Sequence, residues 1–287
     1  MKTISVAHSP DADDIFMYYA IKFGWVTPKD ARFENIADDI ESLNQATLKG
    51  QYDICAISFA LYPFVKDDYA LLKTAVSFGQ GYGPKLIKKK GTVLKKNFKV
   101  ALSGEFTTNA LLFKIAYPNA RITYLNFLEI EEAVLNGTVD AGVLIHESIL
   151  TYNQELEVER EMWDIWVELS GGDLPLPLGG MCLRRSIPLN DAINYENTLI
   201  KAVDVANKNR KVLSKMLLEK GLIRVNAETL DKYLDLYAND DSVKMSDIQY
   251  KALDKLYELG YKNGFYESFV KSEDFLIPSE YEELRAR

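Results

Sequence analysis

Only two histidines occur in this 287-residue chain, and one of them, His146, stands directly behind a run of small and branched apolar residues in GVLIHESILTY (142–152). An imidazole has an unperturbed pKa of about 6.5, so near neutral pH it is mostly uncharged yet basic enough to take a proton. A buried structural histidine is the alternative, and residue type alone leaves both open. Glu147 comes next; on an extended strand it points to the opposite face, which makes it a structural partner rather than a second base. The other histidine, His8, heads HSPDADD (8–14) with Asp11, Asp13 and Asp14. Such a set suits a divalent ion. Asp13 and Asp14, however, fit a helix's first turn, where carboxylates complement the dipole, and no second histidine stands at ligand spacing. HESIL (146–150) also lacks the second histidine of a zinc-protease motif. We expect no metal.

Other chemistries find less support. Neither Cys55 nor Cys182 has a histidine near it in sequence, and no Gly-x-Ser-x-Gly elbow occurs. GQGYGP (79–84) lacks the spacing of a phosphate-binding loop and reads as a turn or a close backbone approach to ligand. No cofactor is expected. What remains, one histidine and several hydroxyls in a cleft, suffices for proton abstraction and elimination.

The elements that position these groups read as alternating strands and helices over the first 185 residues. TISVAH (3–8) is a strand, and the helix after it ends at Gly24. DDIESLNQATLKG (38–50) is a helix in which Asp38 and Glu41 have capping-box spacing. LKGQYDICAISFALY (48–62) and LNGTVDAGVLIHESI (135–149) share a Leu-x-Gly-x-x-Asp skeleton, each read as helix end, turn and buried strand. Ligands of open α/β sheets sit beyond the carboxyl ends of strands, which selects Ser58 and Phe59 in one unit and His146 and Glu147 in the other. FKVALSG (98–104) opens the second unit. The following helix, 105–117, carries Thr107, Thr108 and Asn109 in its first turn, where free N–H groups and hydroxyls suit a carboxylate or phosphate. GGDLPLPLGG (171–180) is a connection before the strand MCLRRS (181–186), and the rest is helical, beginning with 198–221. The chain is expected to enter the second lobe near 98 and leave near 180: a larger α/β lobe from 1–97 plus 180–287, a smaller one from 98–179, and a central cleft.

Net charge is −8, from 34 basic and 42 acidic residues, which argues against nucleic acid as the main partner. KLIKKKGTVLKKNFK (85–99) is the one basic patch, either solvated surface or an attractant for an anionic ligand. No apolar run approaches the roughly 18 residues of a membrane span, so no membrane insertion is expected. The N-terminus has no signal-peptide pattern, and a cytoplasmic location follows as the expectation.

SPDADDIFMYYAI, AISFALY (56–62), GQGYGP, SGEFTTNALL (103–112), GVLIHESILTY and LPLPLGG (174–180) resemble, in order, the 1,4-dihydroxy-6-naphthoate synthase family of the futalosine route to menaquinone. The matches run from about residue 4 to 185, and IHES-x-x-TY with LPLPLG is the most specific part. The resemblance implies a two-lobed type II periplasmic-binding-protein-like fold, cyclic dehypoxanthine futalosine as a small carboxylate substrate, and 1,4-dihydroxy-6-naphthoate as product. It implies His146 as the base, with ligand contacts at Ala56, Ile57, Ser58, Thr107, Thr108 and Asn109. The family commonly reads Ser-Pro-Cys-Pro-Asn-Asp-Thr-Phe where this chain has Ser9 to Phe16 with Asp11, Ala12 and Asp13. Ala56 stands where many members carry lysine. Both departures bear on anion binding and are expected to leave the identity of the base untouched. The chorismate dehydratase of the same pathway and a non-catalytic solute-binding protein are the rival readings.

Overall fold

The two Leu-x-Gly-x-x-Asp segments fold alike, and around each the chain builds a sheet. A computed structural model describes residues 1–172, 174–239 and 242–278. The first unit is β1 (Lys2–His8), α1 (Ala12–Lys22), β2 (Ala31–Ala37), α2 (Ile40–Leu48) and β3 (Ile54–Ser58). Then come α3 (Tyr62–Val65), β4 (Tyr69–Leu71), β5 (Ser77–Gly79) and β6 (Lys85–Lys89). The second unit is β7 (Lys99–Leu102), α4 (Thr108–Ala116), β8 (Arg121–Tyr124), α5 (Ile130–Leu135) and β9 (Ala141–Leu144). After β10 (Leu156–Glu161), α6 (Met162–Ser170) and β11 (Leu176–Arg184) the chain is helical: α7 (Leu189–Lys208), α8 (Arg210–Glu219), α9 (Ala227–Tyr237) and α10 (Asp247–Lys262). In both units a glycine at positive φ, Gly50 or Gly137, ends the helix and turns the chain into a fully buried strand.

One sheet runs β2-β1-β3-β11-β4, with β5 also on β11, and the other runs β10-β6-β9-β7-β8. In each, three parallel strands are followed by an antiparallel fourth, β11 or β6. That fourth strand comes from outside the unit it completes, so the chain passes twice between lobes. The first passage lies earlier than the sequence suggested. Lys85–Lys88 pair with β9, which puts β6 in the smaller lobe and the crossing between Gly79 and Lys85 rather than near 98. The basic run thereby gains a structural use: Lys85 pairs with Glu161, and Lys88 with Glu157 and Glu159, across β6 and β10. Of the expected 180–287 segment, 240–241 and 279–287 lie outside the described residues.

Other boundaries shift for local reasons. β11 begins at Leu176, because Pro177 is accommodated where the register against β5 slips. The helix expected over 198–221 breaks at Asn209 into α7 and α8. Asp39, not Asp38, caps α2, accepting from the Glu41 and Ser42 N–H groups. Helix α1 is buried on nearly every side, since α7, α8 and α9 cover it. No helix among the described residues is long and apolar enough to cross a membrane.

Candidate active site

The carboxyl ends of β1, β3, β7 and β9 converge on one cavity between the lobes. Ala56, Ile57, Ser58, Thr107, Thr108, Asn109 and His146 line it, whereas Phe59 and Glu147, also selected by the strand-end rule, are not among its lining residues. Strand-end loops explain the convergence, because both units present the N-terminus of a helix, α1 or α4, to the same space.

His146 does not lie on an extended strand. It opens a 3₁₀ turn, His146–Ile149, two residues past β9, with φ at +56°. A left-handed non-glycine residue costs about 1–3 kcal/mol and persists where its surroundings over-determine it. Here they do. His146 Nδ1 lies 2.6 Å from Asp11 Oδ2, and the Phe127 ring stands edge-on at 4.8 Å. Glu147 Oε1 accepts the Ala12 N–H at 3.0 Å, and its Oε2 pairs with Arg224 at 3.3 Å. Asp11 is the N-cap residue of α1 but makes no side-chain cap; its carboxylate serves His146, and Glu147 from the other lobe satisfies the helix instead. Glu147 is thus a structural partner, though through a turn rather than strand alternation.

This arrangement sets the tautomer. With Nδ1–H donating to Asp11, the Nε2 lone pair is left over, and Nε2 has no partner among the described residues. Burial opposes charge on the imidazole, but Asp11, with Glu147 and Asp14 behind it, outweighs burial and raises the pKa above 6.5. For Asp11, burial works upward, yet His146, the Ser9 hydroxyl and Arg224 hold it below 3.8. Both shifts describe a carboxylate that favours imidazolium. The departure at residue 11 therefore bears on the charge of His146, while the identity of the proposed base is unaffected.

His8 plays the other histidine role. It is buried against Tyr18, donates from Nδ1 to the Ser9 carbonyl at 2.6 Å, and meets the Asn35 side chain through Nε2 at 2.5 Å. Burial lowers its pKa. Asp13 and Asp14 do more than complement a dipole. Both line the cavity; burial and then the neighbouring carboxylates push Asp13 far above the usual range and Asp14 to about 7.

The opposite wall carries neutral donors. No lysine or arginine lines the cavity among the described residues, so a bound carboxylate must rely on dipoles. The N–H groups of Thr108 and Asn109 start α4 and have no intrahelical acceptor. Ser103 Oγ and Asn109 Oδ1 are buried without partners. Ser58 is set by Asn44, which accepts the Ser58 N–H at 3.0 Å and donates to its Oγ at 3.2 Å. The threonine hydroxyls, expected as ligand donors, are spent within the protein. Thr107 Oγ1 accepts the Ala110 N–H and donates to the Gly104 carbonyl. Thr108 Oγ1 accepts the Ala60 N–H and donates to the Leu178 carbonyl at 3.0 Å, bridging the lobes. Thr108→Val is accordingly expected to lower unfolding free energy by about 1–3 kcal/mol, read by chemical denaturation. An unchanged midpoint would show the bridge to be immaterial.

The sequence profile of the menaquinone-biosynthesis family matches residues 4–262. The chain belongs to that family. Among curated relatives it is 29% identical over 258 residues to the 1,4-dihydroxy-6-naphthoate synthase of Streptomyces coelicolor, covering 88% of this chain and 90% of the relative. It is 27% identical to the synthase of the same name from Thermus thermophilus, over 90% and 93% of the two chains. A solved protein of Archaeoglobus fulgidus superposes with a TM-score of 0.84 at 32% identity, covering 91% of this chain and 98% of that one. The periplasmic aliphatic sulphonate-binding protein of Escherichia coli shares the fold alone, with a TM-score of 0.66 at 12% identity over 96% and 97% of the chains. The fold is two-lobed and periplasmic-binding-protein-like, and as a member of this family the protein is a biosynthetic enzyme acting on a small molecule.

Asp11, Asp13, Asp14 and Ser103 were not selected from the sequence, although the strand-end rule applies equally to β1 and β7. Tyr233 and Tyr237, one helical turn apart on α9, also line the cavity. They arrive from the far C-terminal helices and carry no local signal.

Proposed function

We propose that this protein is a 1,4-dihydroxy-6-naphthoate synthase, a lyase that converts cyclic dehypoxanthine futalosine to 1,4-dihydroxy-6-naphthoate. The observation that carries the reading is His146, a cavity-lining residue with Nδ1 held by a buried carboxylate and a buried Nε2 that has no partner among the described residues. The substrate carboxylate binds at the start of α4, against the Thr108 and Asn109 N–H groups and the Ser103 hydroxyl, with Ala56, Ile57 and Ser58 forming the adjoining wall. Nε2 takes a proton from substrate carbon, and Asp11 stabilises the imidazolium that forms. The sugar-derived part is then released, driven by aromatisation of the new ring. Enclosure between lobes keeps water from the carbanion-like centre. A cytoplasmic location belongs to the same proposal and is checked by fractionating cells that produce the protein.

Incubating the purified protein with cyclic dehypoxanthine futalosine should yield the naphthoate chromophore with many turnovers per protein. Reversible binding without product would overturn the proposal in favour of a solute-binding role.

A further inference from the structure

Proton abstraction accounts for half of a cleavage. As the C–H bond breaks toward His146, its electron pair enters the forming ring. The bond to the sugar-derived part then breaks, and that pair leaves with the fragment, which must take up a proton. The ionisable side chains lining the cavity among the described residues are Asp11, Asp13, Asp14, His146, Tyr233 and Tyr237. His146 is the acceptor. Asp11 has one oxygen on His146 Nδ1 and the other on the Ser9 hydroxyl. Burial holds both tyrosines well above their ordinary range, beside Asp13, so neither releases a proton readily. Asp13 is only 4% exposed, its Oδ1 has no partner, and the carboxylates of Asp14, Asp11 and Glu147 surround it. It stays neutral and can offer a hydrogen bond to the fragment, but ionising it there is costly.

Asp14 differs. One of its oxygens, Oδ2, accepts the Ser9 N–H at 2.8 Å, which fixes the carboxyl group, and the side chain remains partly exposed at the cavity wall. We infer that Asp14, resting on the naphthoate-synthase reading, is the general acid that protonates the departing fragment, opposite His146 as base. Burial and the Asp11 charge bring it to about 7, where a carboxyl can both give and regain a proton. After release His146 is imidazolium and Asp14 carboxylate; the proton returns from one to the other through solvent, so no acid or base is consumed.

The active form has neutral His146 and protonated Asp14. The rate should therefore fall as pH drops below the raised imidazole pKa, and fall again as pH rises beyond about 7. Asp14 is faced by Asp11 and Asp13 on its own helix start, by His8 at the end of β1, by Cys55 on β3 and by His146 on the turn after β9. Burial lowers the pKa of His8 and raises Cys55 to about 12, which leaves neither to produce an alkaline limb near neutrality.

The test compares wild-type protein with Asp14→Asn in single turnovers of cyclic dehypoxanthine futalosine across roughly pH 6 to 9. Asparagine keeps the shape and the acceptor for Ser9. The maximal rate is expected to drop about 50-fold, with the alkaline limb gone and affinity for 1,4-dihydroxy-6-naphthoate within about threefold of wild type. A variant with near-wild-type rate and the limb intact would overturn the assignment. If the variant fails to bind product because it does not fold, the wild-type profile decides: a rate that does not decline toward pH 9 overturns it. Wild-type protein that binds substrate without turnover would sink the function itself, and this assignment with it.

Discussion

Replacing His146 with asparagine is expected to lower turnover by about 1,000-fold or more while the fold and product binding persist. Asparagine suits the test for a backbone reason. His146 has a φ of +56°, a left-handed conformation that asparagine tolerates better than most side chains. Its amide can still donate to Asp11, so the buried carboxylate is not orphaned. What it lacks is a basic nitrogen at the cavity. The loss should therefore appear in turnover rather than in affinity for the aromatic product, and the melting temperature should move little. The measurement is steady-state kinetics on cyclic dehypoxanthine futalosine beside a thermal melt. A near-wild-type turnover number would make the imidazole structural and end the case for a base at this position.

How far such a site can be read from sequence is clear from its members. His146 and Ser58 were legible because a buried strand ends at Ser58 and two residues before His146, and Thr107 to Asn109 because a helix start offers free N–H groups whatever surrounds it. Those are local rules. The partner of His146 was not legible, since Asp11 is 135 positions away and entered the sequence reading only as one carboxylate of a possible divalent-ion set. In the structure Asp11 takes the N-cap position of α1 without capping it, and Glu147 fills that need from the other lobe. The same holds for β6. Its lysines read as solvated surface or an attractant for an anionic ligand, and only pairing with β9 and β10 shows that the chain has already changed lobes. A contact between lobes fixes the first case and strand pairing within the smaller lobe the second, and no sequence period reports either.

The same contact supports the second large effect. Asp11→Asn should cost about 100- to 1,000-fold in turnover, because an amide does not hold the imidazole in the Nδ1–H tautomer as a carboxylate does, nor balance the imidazolium charge. The pH profile separates this role from a merely structural one. In the wild type the carboxylate overcomes burial and raises the His146 pKa above 6.5. Without that charge, burial prevails, and the acid limb of kcat/KM should move to lower pH even as the plateau falls. Stability follows with a defined sign. The raised imidazole contributes stability fully below pH 6.5 and loses it as pH rises through its folded value; the depressed Asp11 contributes above pH 3.8 and loses it on acidification. The melting-temperature gap between wild type and variant should therefore be widest between these limits and narrow above them. A variant slowed at every pH with its acid limb unmoved would mean that Asp11 shapes the loop without governing the base. An unchanged rate would separate Asp11 from catalysis altogether, leaving the contact with His146 as an accident of lobe closure.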